Sequence, residues 1–507
     1  MSNPTEPSPS PPLPRWWTSA LFAFGMMGVS LFFRLPLLEE SLWVDELHTA
    51  WVVADSPQEI PERAAMGNQS PLYFLGVWAW LQTSGMHEWS LRLPSLLAGV
   101  LAVGLVTVIT HRWTKDGWIA LGIGLIAAMD KDWIFFATEA RTYALVQAVA
   151  IAQVIVAWQA CQHDRVAAWL GLISLSLINF YLHYSTLLFT GGVGLAMLIS
   201  AANRPVRKHL LLAGIVLLLG IGVSVPHLLS IFERRANWAQ FISATSSNEW
   251  TRWGTVFAFL IPASIALLIA WLRQTAIPQL QKRRFFFLTL VVLLPLATAW
   301  LTTATGVAAL FFGRYLFSVE ACVLLLLASI VAMLPGKWVA RGVLALAVLL
   351  SFFGRFHSPW QGMRGENWPQ VVQAASDRIN SLDLPPEIVI AAGLIETDIL
   401  LTDEAEDQPW DEFARLPLES IYRLPAQATE RFGLTYTNAG QPTPRYQAES
   451  ADQATVILIV RGRDSKADQV ARRLQAAFPE RDYRIETPQP QTYGVQWRVL
   501  TPQASSP

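Results

Sequence analysis

The 507-residue sequence predicts a polytopic α-helical membrane protein that ends in a small soluble α/β domain. Hydrophobic residues make up 53% of the chain and charged residues only 15%, whereas soluble proteins carry about 25% charge. The charge is also unevenly distributed. Residues 1–359 hold 40 of the 75 charged residues, about 11%, and residues 360–507 hold the other 35, about 24%. We therefore place a domain boundary near residue 360.

Composition also excludes several functional classes. The formal net charge is −1 and the isoelectric point is about 6.7, so the chain has no basic field with which to bind nucleic acid. Its two cysteines, Cys161 and Cys322, lie in or beside apolar segments. A disulfide framework and a cysteine-based zinc site are therefore excluded.

The elements of the membrane domain follow from apolar runs of spanning length. The proline-rich residues 1–15 cannot bury a core, so we predict a disordered cytoplasmic tail. The run 16–38 is too long for a signal peptide and lacks a small-residue cleavage site, so we predict a first spanning helix. Ten further spans of roughly 17–24 residues are predicted at 92–112, 118–136, 140–160, 166–182, 184–201, 209–229, 253–272, 285–304, 311–334 and 338–355.

The short apolar run 71–85 determines the orientation of everything after it. If it spans, the basic loops near 112–115, 204–208, 273–284 and 337–341 lie outside. If it lies in the membrane plane, all of these loops are cytoplasmic, as the positive-inside rule requires. We therefore predict in-plane helices in the first external loop (39–91), about eleven spans within 16–359, and an extracytoplasmic domain at 360–507.

The acidic residues of the membrane half then crowd one side. Of its 17 Asp and Glu residues, only Asp116 and Asp164 fall in predicted cytoplasmic loops, whereas 13 fall in outer loops or at outer membrane edges. Acids contribute little to topology. Solvated loop charge explains some of them, and an outward-facing site built from carboxylates explains the rest.

The first candidate for that site is Asp45-Glu46, directly after the first span. Residues 43–54 have the pattern of a short amphipathic helix lying on the membrane, with Trp43 in the interfacial belt. A partly desolvated carboxylate there could act as the general base for a hydroxyl acceptor. Alternatively, the acids simply favour a helix N-terminus.

Further candidates lie at the outer ends of later spans. Arg141 either pairs with Glu139 or binds a phosphate through its guanidinium fork. Asp130 and Asp132 either add carboxylates to the site or cap a loop. His183 with Tyr184 has either a packing role or a place in the substrate site.

Charged residues at or within the apolar runs need an explanation of their own. We predict that Arg92 anchors a helix end by snorkelling. Glu320 is predicted to pair with an arginine from another helix, because Arg314 lies six positions away and off its helical face. Arg234-Arg235 could meet a donor phosphate or lipid headgroups.

Four motifs in order resemble the C-type membrane glycosyltransferases (GT-C fold), in particular the group of dolichyl-phosphate-mannose protein mannosyltransferases and aminoarabinose transferases. They are LWVDE at 42–46, SPLYFLGVWAWL at 70–81, EWSLRLPSLLAGVLAV at 88–103 and FFATEARTYAL at 135–145. The resemblance covers roughly residues 30–370. It implies a transferase that uses a polyprenyl-phosphate sugar donor on the outer side of a bacterial plasma membrane.

The resemblance also implies roles for individual residues. Asp45 matches the acid expected to act as base, and Glu46 its neighbour, which shapes the site or helps to hold a cation. Arg314-Tyr315 matches an Arg-Tyr motif expected to bind the lipid phosphate. The segment with Glu139, Arg141 and Tyr143 is expected to face the catalytic cavity.

The sequence departs from the family pattern at two places. Gln69-Ser70-Pro71 stands where relatives have His-Pro-Pro, and Asp130-Lys131-Asp132 stands where relatives have a small residue and proline. These departures favour an acceptor different from that of the best-known members, so a protein, a glycolipid and a polysaccharide all stay open. A divalent metal near the carboxylates is possible, although no ligand spacing demands it.

The C-terminal domain has the pattern of a small α/β module. Strands are predicted at 385–391, 455–460, 483–485 and 495–499, and amphipathic helices at 366–381 and 465–478. The acidic stretch 403–412 is predicted to be a loop. No nucleophile, metal or phosphate motif occurs in this domain, and covering the site, selecting the acceptor and stabilising the fold are all open roles.

The main alternative function is a transporter or flippase for a lipid-linked or small polar substrate. That class predicts paired broken helices or an internal repeat, with charges at the bilayer midplane. The absence of a visible repeat and the crowding of charge on one face favour an enzyme over a transporter. A polysaccharide polymerase and a sensor protein are weaker alternatives.

Overall fold

The computed structural model describes residues 15–200, 204–233, 242–391, 410–425, 430–434, 454–477, 482–489 and 494–503. The predicted disordered tail, the Arg234-Arg235 pair and most of the acidic stretch 403–412 lie outside these residues. The chain divides into two compact units. The helical unit contains 1–35, 96–137 and 143–359, and the mixed unit contains 36–95, 138–142 and 360–507.

The helical unit is built from long apolar helices joined by short turns. In chain order they are α1 (Arg15–Arg34), α5 (Glu88–Thr114, which begins in the mixed unit), α6 (Gly117–Met129), α7 (Lys131–Ala137), α8 (Tyr143–His163), α9 (Val166–Leu182), α10 (Thr186–Ser200), α11 (Arg204–Gly222), α12 (Val225–Glu233), α13 (Ser247–Ala258), α14 (Ile261–Leu272), α15 (Gln279–Ala304), α16 (Phe317–Met333) and α17 (Lys337–Arg355). A 3₁₀ turn, Gly313–Leu316, precedes α16.

The described helices confirm an integral membrane protein. Seven of them are long and apolar enough to cross a membrane, and the pair α13 and α14, bent by 50°, meets the same length and composition when the two helices are taken together. The shorter apolar helices α6, α9 and α10 coincide with three more predicted spans. Each predicted span thus has a helical counterpart, although a count of eleven crossings stays a prediction.

The burial of each helix follows from its sequence. In α16 every residue from Phe317 to Val331 is buried, as expected for a helix that is apolar on all sides and packs in the centre of a bundle. In α11 most leucines are exposed, including Leu211, Leu218 and Leu219. An apolar helix with an exposed apolar surface is suited to contact with lipid.

The mixed unit combines the first loop with the C-terminal segment. From the first loop come α2 (Val44–Val52), α3 (Ile60–Met66) and α4 (Pro71–Ser84). Helix α4 has only 14 residues and, unlike the similarly short α6 and α10, lies in the mixed unit. A helix of that length rises about 21 Å, whereas the hydrocarbon core of a bilayer is roughly 30 Å thick. The length of α4 and its place in the mixed unit both agree with the predicted in-plane helix.

The helix predicted at 43–54 is present, but its predicted exposed polar face is wrong. All residues of α2 are buried except Asp45. Segments from the C-terminal part of the chain pack on it: the Trp51 ring lies 5.8 Å from the ring of Phe413, and Val44 N–H donates to Glu366 at 3.2 Å. Distant chain thus covers the face that the local pattern assigned to water.

The C-terminal part forms a five-stranded mixed sheet with helices. Its elements are α18 (Trp368–Asn380), β1 (Glu387–Ala391), α19 (Trp410–Leu416), β2 (Glu430–Leu434), β3 (Val456–Arg461), α20 (Asp464–Ala477), β4 (Tyr483–Glu486) and β5 (Val495–Pro502). The strand order is β2-β1-β3-β5-β4. Strand β1 pairs in parallel with β2 and β3, whereas β5 is antiparallel to β3 and β4.

The sequence predicted most of this module. Four strands and both amphipathic helices form where expected, and Val389, Leu458, Ala471 and Leu500 meet in the core. Strand β2 was not predicted, because ERFGL contains only two large apolar residues. The end of the acidic stretch is helical rather than a loop, since α19 begins at Trp410.

We expect Gly192→Ala to destabilise the helical unit and Gly191→Ala to leave it intact. A Cβ atom on Gly192 of α10 would lie 2.6 Å from Cγ of Pro295 in α15. A Cβ atom on Gly191 would have no neighbouring atom within 4 Å. Overpacking of this kind costs about 1–3 kcal/mol. Thermal midpoints in detergent, followed by tryptophan fluorescence, should fall by several degrees for Gly192→Ala alone. Equal midpoints for the two variants would contradict this close approach.

Candidate active site

Two adjacent acids begin α2 and have opposite environments. Asp45 and Glu46 both lie in its first turn, where the helix dipole favours negative charge. The Asp45 side chain keeps 17% of its surface exposed, whereas the Glu46 side chain keeps none. Of the two, Asp45 is the carboxylate that a substrate could reach.

Glu46 is the centre of a buried ion-pair network. Its Oε1 accepts from Arg92 Nε at 2.7 Å and from Ala140 N–H at 2.9 Å. Its Oε2 accepts from Arg92 Nη2 at 2.6 Å and lies 3.1 Å from Arg364 Nε. Burial by itself would raise the pKa of Glu46, but the charges of Arg364 and Arg92 outweigh burial and lower it. Glu46 is therefore an anion with its lone pairs in use.

The predicted snorkelling of Arg92 is wrong. Its side chain is fully buried, and Nη1 donates to the carbonyls of Leu38 at 2.8 Å and Glu40 at 2.6 Å. An arginine at a helix end does not need to reach for water when a buried carboxylate and unpaired carbonyls supply its partners. Arg92 thereby ties the start of α5 to α2 and to the end of the first predicted span.

The segment 138–142 is anchored through its backbone. Ala140 donates its N–H to Glu46, and its carbonyl accepts from Thr49 at 2.8 Å. The Arg141 carbonyl accepts from Ser95 at 2.7 Å. The Thr138 carbonyl accepts from Arg364 at 2.6 Å. This anchoring fixes where the buried Glu139 and Arg141 side chains begin.

Arg141 lies between a histidine and the first acid of α2. Its Nη1 is 3.1 Å from Nδ1 of His48, and its Nη2 is 3.8 Å from Oδ1 of Asp45. Burial, and next to it the charge of Arg141, lower the pKa of His48 from 6.5 to about 3. His48 is therefore neutral at physiological pH, and the structure brings together Asp45, Glu46, His48 and Arg141.

A second group of predicted residues meets in the helical unit. Arg314, in the 3₁₀ turn before α16, places its guanidinium carbon 5.8 Å from the centre of the Tyr143 ring. The His183 ring lies 5.5 Å from that of Tyr143 and 5.6 Å from that of Tyr315. Tyr184 lies beside this group, with its ring 5.3 Å from that of His227. A cation among aromatic rings at a helix start is suited to an anionic ligand.

The other predicted acids form a buried charge cluster in the helical unit. Arg355 binds Asp130, Asp132 and Glu320, and Arg252 binds Asp132 at 2.8 Å and Glu320 at 2.7 Å. The prediction that Glu320 pairs with an arginine from another helix is confirmed. Asp130 also caps α7, because its Oδ1 accepts from Asp132 N–H at 2.9 Å.

The three carboxylates of this cluster lie close enough together to bind a cation. Ligand atoms of Asp130, Asp132 and Glu320 are all within 4.8 Å of one another. Two guanidinium groups already use these oxygens and leave a formal charge of only −1 on the five side chains. The residues present therefore fit an arginine pair better than a dication.

Sequence reasoning missed His48, Arg252, Arg355 and Arg364. An unpaired Glu320 inside an apolar run would be costly, so the sequence implies an arginine partner, and Arg252 and Arg355 could have been sought for that reason. Nothing in the sequence points to Arg364, since it lies in a charged linker. His48 follows Asp45 by three positions, one helical turn, which is the spacing at which side chains share a face.

Comparison with known proteins finds a match in architecture but none in sequence. No family model matches the chain, and no curated protein matches it in sequence. The crystal structure of ArnT from Cupriavidus metallidurans bound to undecaprenyl phosphate is similar over 96% of this chain and 98% of that chain, with 12% identity and a TM-score of 0.51. The crystal structure of the same protein in the apo state is similar over 95% of this chain and 97% of that chain, with 13% identity and a TM-score of 0.42.

The chain has the fold of ArnT. ArnT is an aminoarabinose transferase of the GT-C fold, so the predicted fold class is confirmed. The similarity in three dimensions extends over nearly the whole of both chains. Because only 12% of the residues are identical, what this chain shares with ArnT is the fold.

We expect Arg92→Met to destabilise the mixed unit by about 3 kcal/mol or more, because it leaves the Glu46 carboxylate buried without its bidentate partner. Adding Glu46→Gln should recover part of the loss, since the buried charge is then removed. Denaturant titrations in detergent should measure both effects. Arg484→Met is the control: its side chain is 71% exposed and 3.7 Å from Glu486, and such pairs contribute about 0–1 kcal/mol. A loss for Arg92→Met as small as that for the control would contradict the network.

The low pKa of His48 predicts an acid-dependent loss of stability. Between pH 6.5 and about 3 the unfolded chain binds a proton at His48 and the folded chain does not, so stability falls as pH falls through that range. Above pH 6.5 this contribution is constant. The wild-type advantage over His48→Asn should therefore shrink by roughly 2 kcal/mol between pH 7.5 and 5.0. The comparison with His87→Asn, in the same unit, corrects for the loss of any histidine. A pH-independent difference would mean that His48 titrates normally.

Proposed function

We propose that this protein is an inverting glycosyltransferase that moves a sugar from a polyprenyl-phosphate donor to an acceptor hydroxyl on the outer face of the membrane. The observation that carries the proposal is the unequal pair at the start of α2. Asp45 is partly exposed and 3.8 Å from the Arg141 guanidinium, whereas Glu46 is buried and fully engaged. A reachable carboxylate beside a fixed cation suits a base next to a phosphate.

The mechanism assigns one role to each of these residues. Asp45 accepts the proton of the acceptor hydroxyl. The hydroxyl oxygen attacks the anomeric carbon as the bond between that carbon and the phosphate oxygen breaks, so the sugar inverts and polyprenyl phosphate leaves. Arg141 stabilises the negative charge that develops on the phosphate. Glu46 holds α2 and the 138–142 segment in place and does not exchange a proton.

Arg314 and Tyr315 are proposed as further donor-phosphate residues. The support within the helical unit is the arrangement of Arg314 over the Tyr143 ring, with His183 and Tyr315 beside it. Tyr143, Tyr184, Glu139, Asp130 and Asp132 were also predicted to face the substrate. For Asp130 and Asp132 the ion pairs with Arg355 favour a structural role.

The fold of ArnT, whose crystal structure holds undecaprenyl phosphate, supports a polyprenyl-phosphate donor. We propose a bacterial plasma membrane location with the C-terminal domain outside, because this orientation leaves the basic loops in the cytoplasm. The acceptor is a hydroxyl of a protein, a glycolipid or a polysaccharide.

A panel of polyprenyl-phosphate monosaccharides tests the proposal. Purified protein with membrane extract as acceptor should release free polyprenyl phosphate from one member of the panel. Asp45→Asn should lower this rate by about 100-fold or more, the usual contribution of a general base. The matched control is Asp55→Asn in the same loop, where the 57% exposed side chain of Asp55 pairs with Arg63 at 2.7 Å.

The outcomes separate the two functional classes. Release that depends on Asp45 but not on Asp55 supports the transferase and identifies the sugar. Intact donor moved across the bilayer of proteoliposomes, with no release, would favour the transporter or flippase instead. Equal rates for wild type and Asp45→Asn would remove Asp45 from the mechanism.

A further inference from the structure

His48 is a fully buried histidine in the middle of the candidate active site, and the mechanism above gives it no role. Its ring is 1% exposed, and it packs 5.9 Å from the Trp51 ring and 6.0 Å from the Phe74 ring. Its Nδ1 lies 3.1 Å from Nη1 of Arg141. The position of the ring is therefore fixed on both its apolar and its polar side.

The chemistry of this contact leaves one protonation state. A guanidinium group has only donors, so in a hydrogen bond with Arg141 the Nδ1 atom must be the acceptor. The ring is then neutral and carries its proton on Nε2. Nε2 is itself buried and has no partner in good hydrogen-bond geometry within the described residues, although the backbone of Arg63 is close enough to favour the protonated ring. Such an arrangement costs free energy, so the acceptor role of Nδ1 comes with a poorly compensated donor.

Gly67 leaves room for the ring in this orientation. A Cβ atom there would lie 2.6 Å from both Cε1 and Nε2 of His48. The backbone of Gly67 has φ of −88°, a value that any residue can adopt. The glycine is therefore required by the close approach of the ring and not by the backbone conformation.

We propose that His48 is a positioning residue that fixes the Arg141 guanidinium beside Asp45. This inference rests on the proposed function of Asp45 and Arg141. The two distances support it: Nη1 is 3.1 Å from Nδ1 of His48, within hydrogen-bond distance, and Nη2 forms a longer ion pair with Asp45 at 3.8 Å. A neutral acceptor orients the cation without neutralising it.

Three variants separate the acceptor from the packing. His48→Asn places an amide oxygen near the position of Nδ1, and His48→Leu has a similar volume and no acceptor. Both lose the ring contacts with Trp51 and Phe74. We expect the donor KM of His48→Leu to rise by about 10-fold or more, the effect of losing a hydrogen bond to a charged group, and that of His48→Asn to stay within about threefold of wild type. Gly67→Ala should raise the KM while leaving both side chains unchanged.

The result that overturns the proposal is an equal effect of His48→Asn and His48→Leu, which would mean packing alone, or no effect of either. A matched control is His87→Leu, at a half-buried histidine of the same unit whose ring lies 4.9 Å from that of Trp89.

A readout independent of turnover distinguishes failure of this inference from failure of the proposed function. In protein labelled with ¹⁵N-histidine, the His48 resonances are assigned as those that disappear in His48→Asn. They should show an unprotonated Nδ1 and a protonated Nε2 from pH 5 to 8. The Nδ1 shift should change in Arg141→Gln. If wild type releases no polyprenyl phosphate, the proposed function fails, and this spectrum still decides the contact. A protonated Nδ1, or a shift unaffected by Arg141→Gln, overturns the positioning role.

Discussion

The buried carboxylate of Glu46 holds together four stretches of chain that are far apart in sequence. Through Arg92 it reaches the end of the first predicted span and the start of α5, through Ala140 the 138–142 segment, and through Arg364 the linker to the C-terminal module. Taking a carboxylate out of water costs several kcal/mol unless all of its lone pairs are used. Because every lone pair of Glu46 needs a donor, the network fixes the position of α2, which carries Asp45 and His48, and of the 138–142 segment, which carries Arg141.

The helical unit also pairs its buried charges, with a different set of residues. Three acids and two arginines share one buried cluster, in which Arg355 of α17 reaches Asp130 at the C-terminal end of α6 and Glu320 of α16. In an apolar surrounding, unpaired charges are costly, so the cluster specifies how these helices pack in a way that leucine and valine side chains alone do not. The two clusters therefore have a structural purpose that is separate from chemistry.

This distinction narrows the list of candidate catalytic groups. The sequence predicts Asp45 as the base with Glu46 as its neighbour, and leaves Asp130 and Asp132 either as added site carboxylates or as a loop cap. Their environments are unequal, because Glu46, Asp130 and Asp132 each bind at least one arginine at hydrogen-bond distance. Asp45 is partly exposed and 3.8 Å from Arg141, an environment that agrees with its proposed role as the base. Identical residue types thus differ in function through the partners that the fold gives them.

The sequence by itself determined the fold class, the apolar helices, four strands of the C-terminal sheet and the acid pair at 45 and 46. These features depend on hydropathy and periodicity within a window of about 20 residues, which is local information. Only the tertiary structure decided the burial of α2, the partners of Arg92 and the place of His48. Those depend on contacts between residues as far apart as Val44 and Glu366, 322 positions along the chain. No local pattern encodes which cation meets which carboxylate, because that pairing minimises the desolvation cost of the whole fold rather than of any one segment.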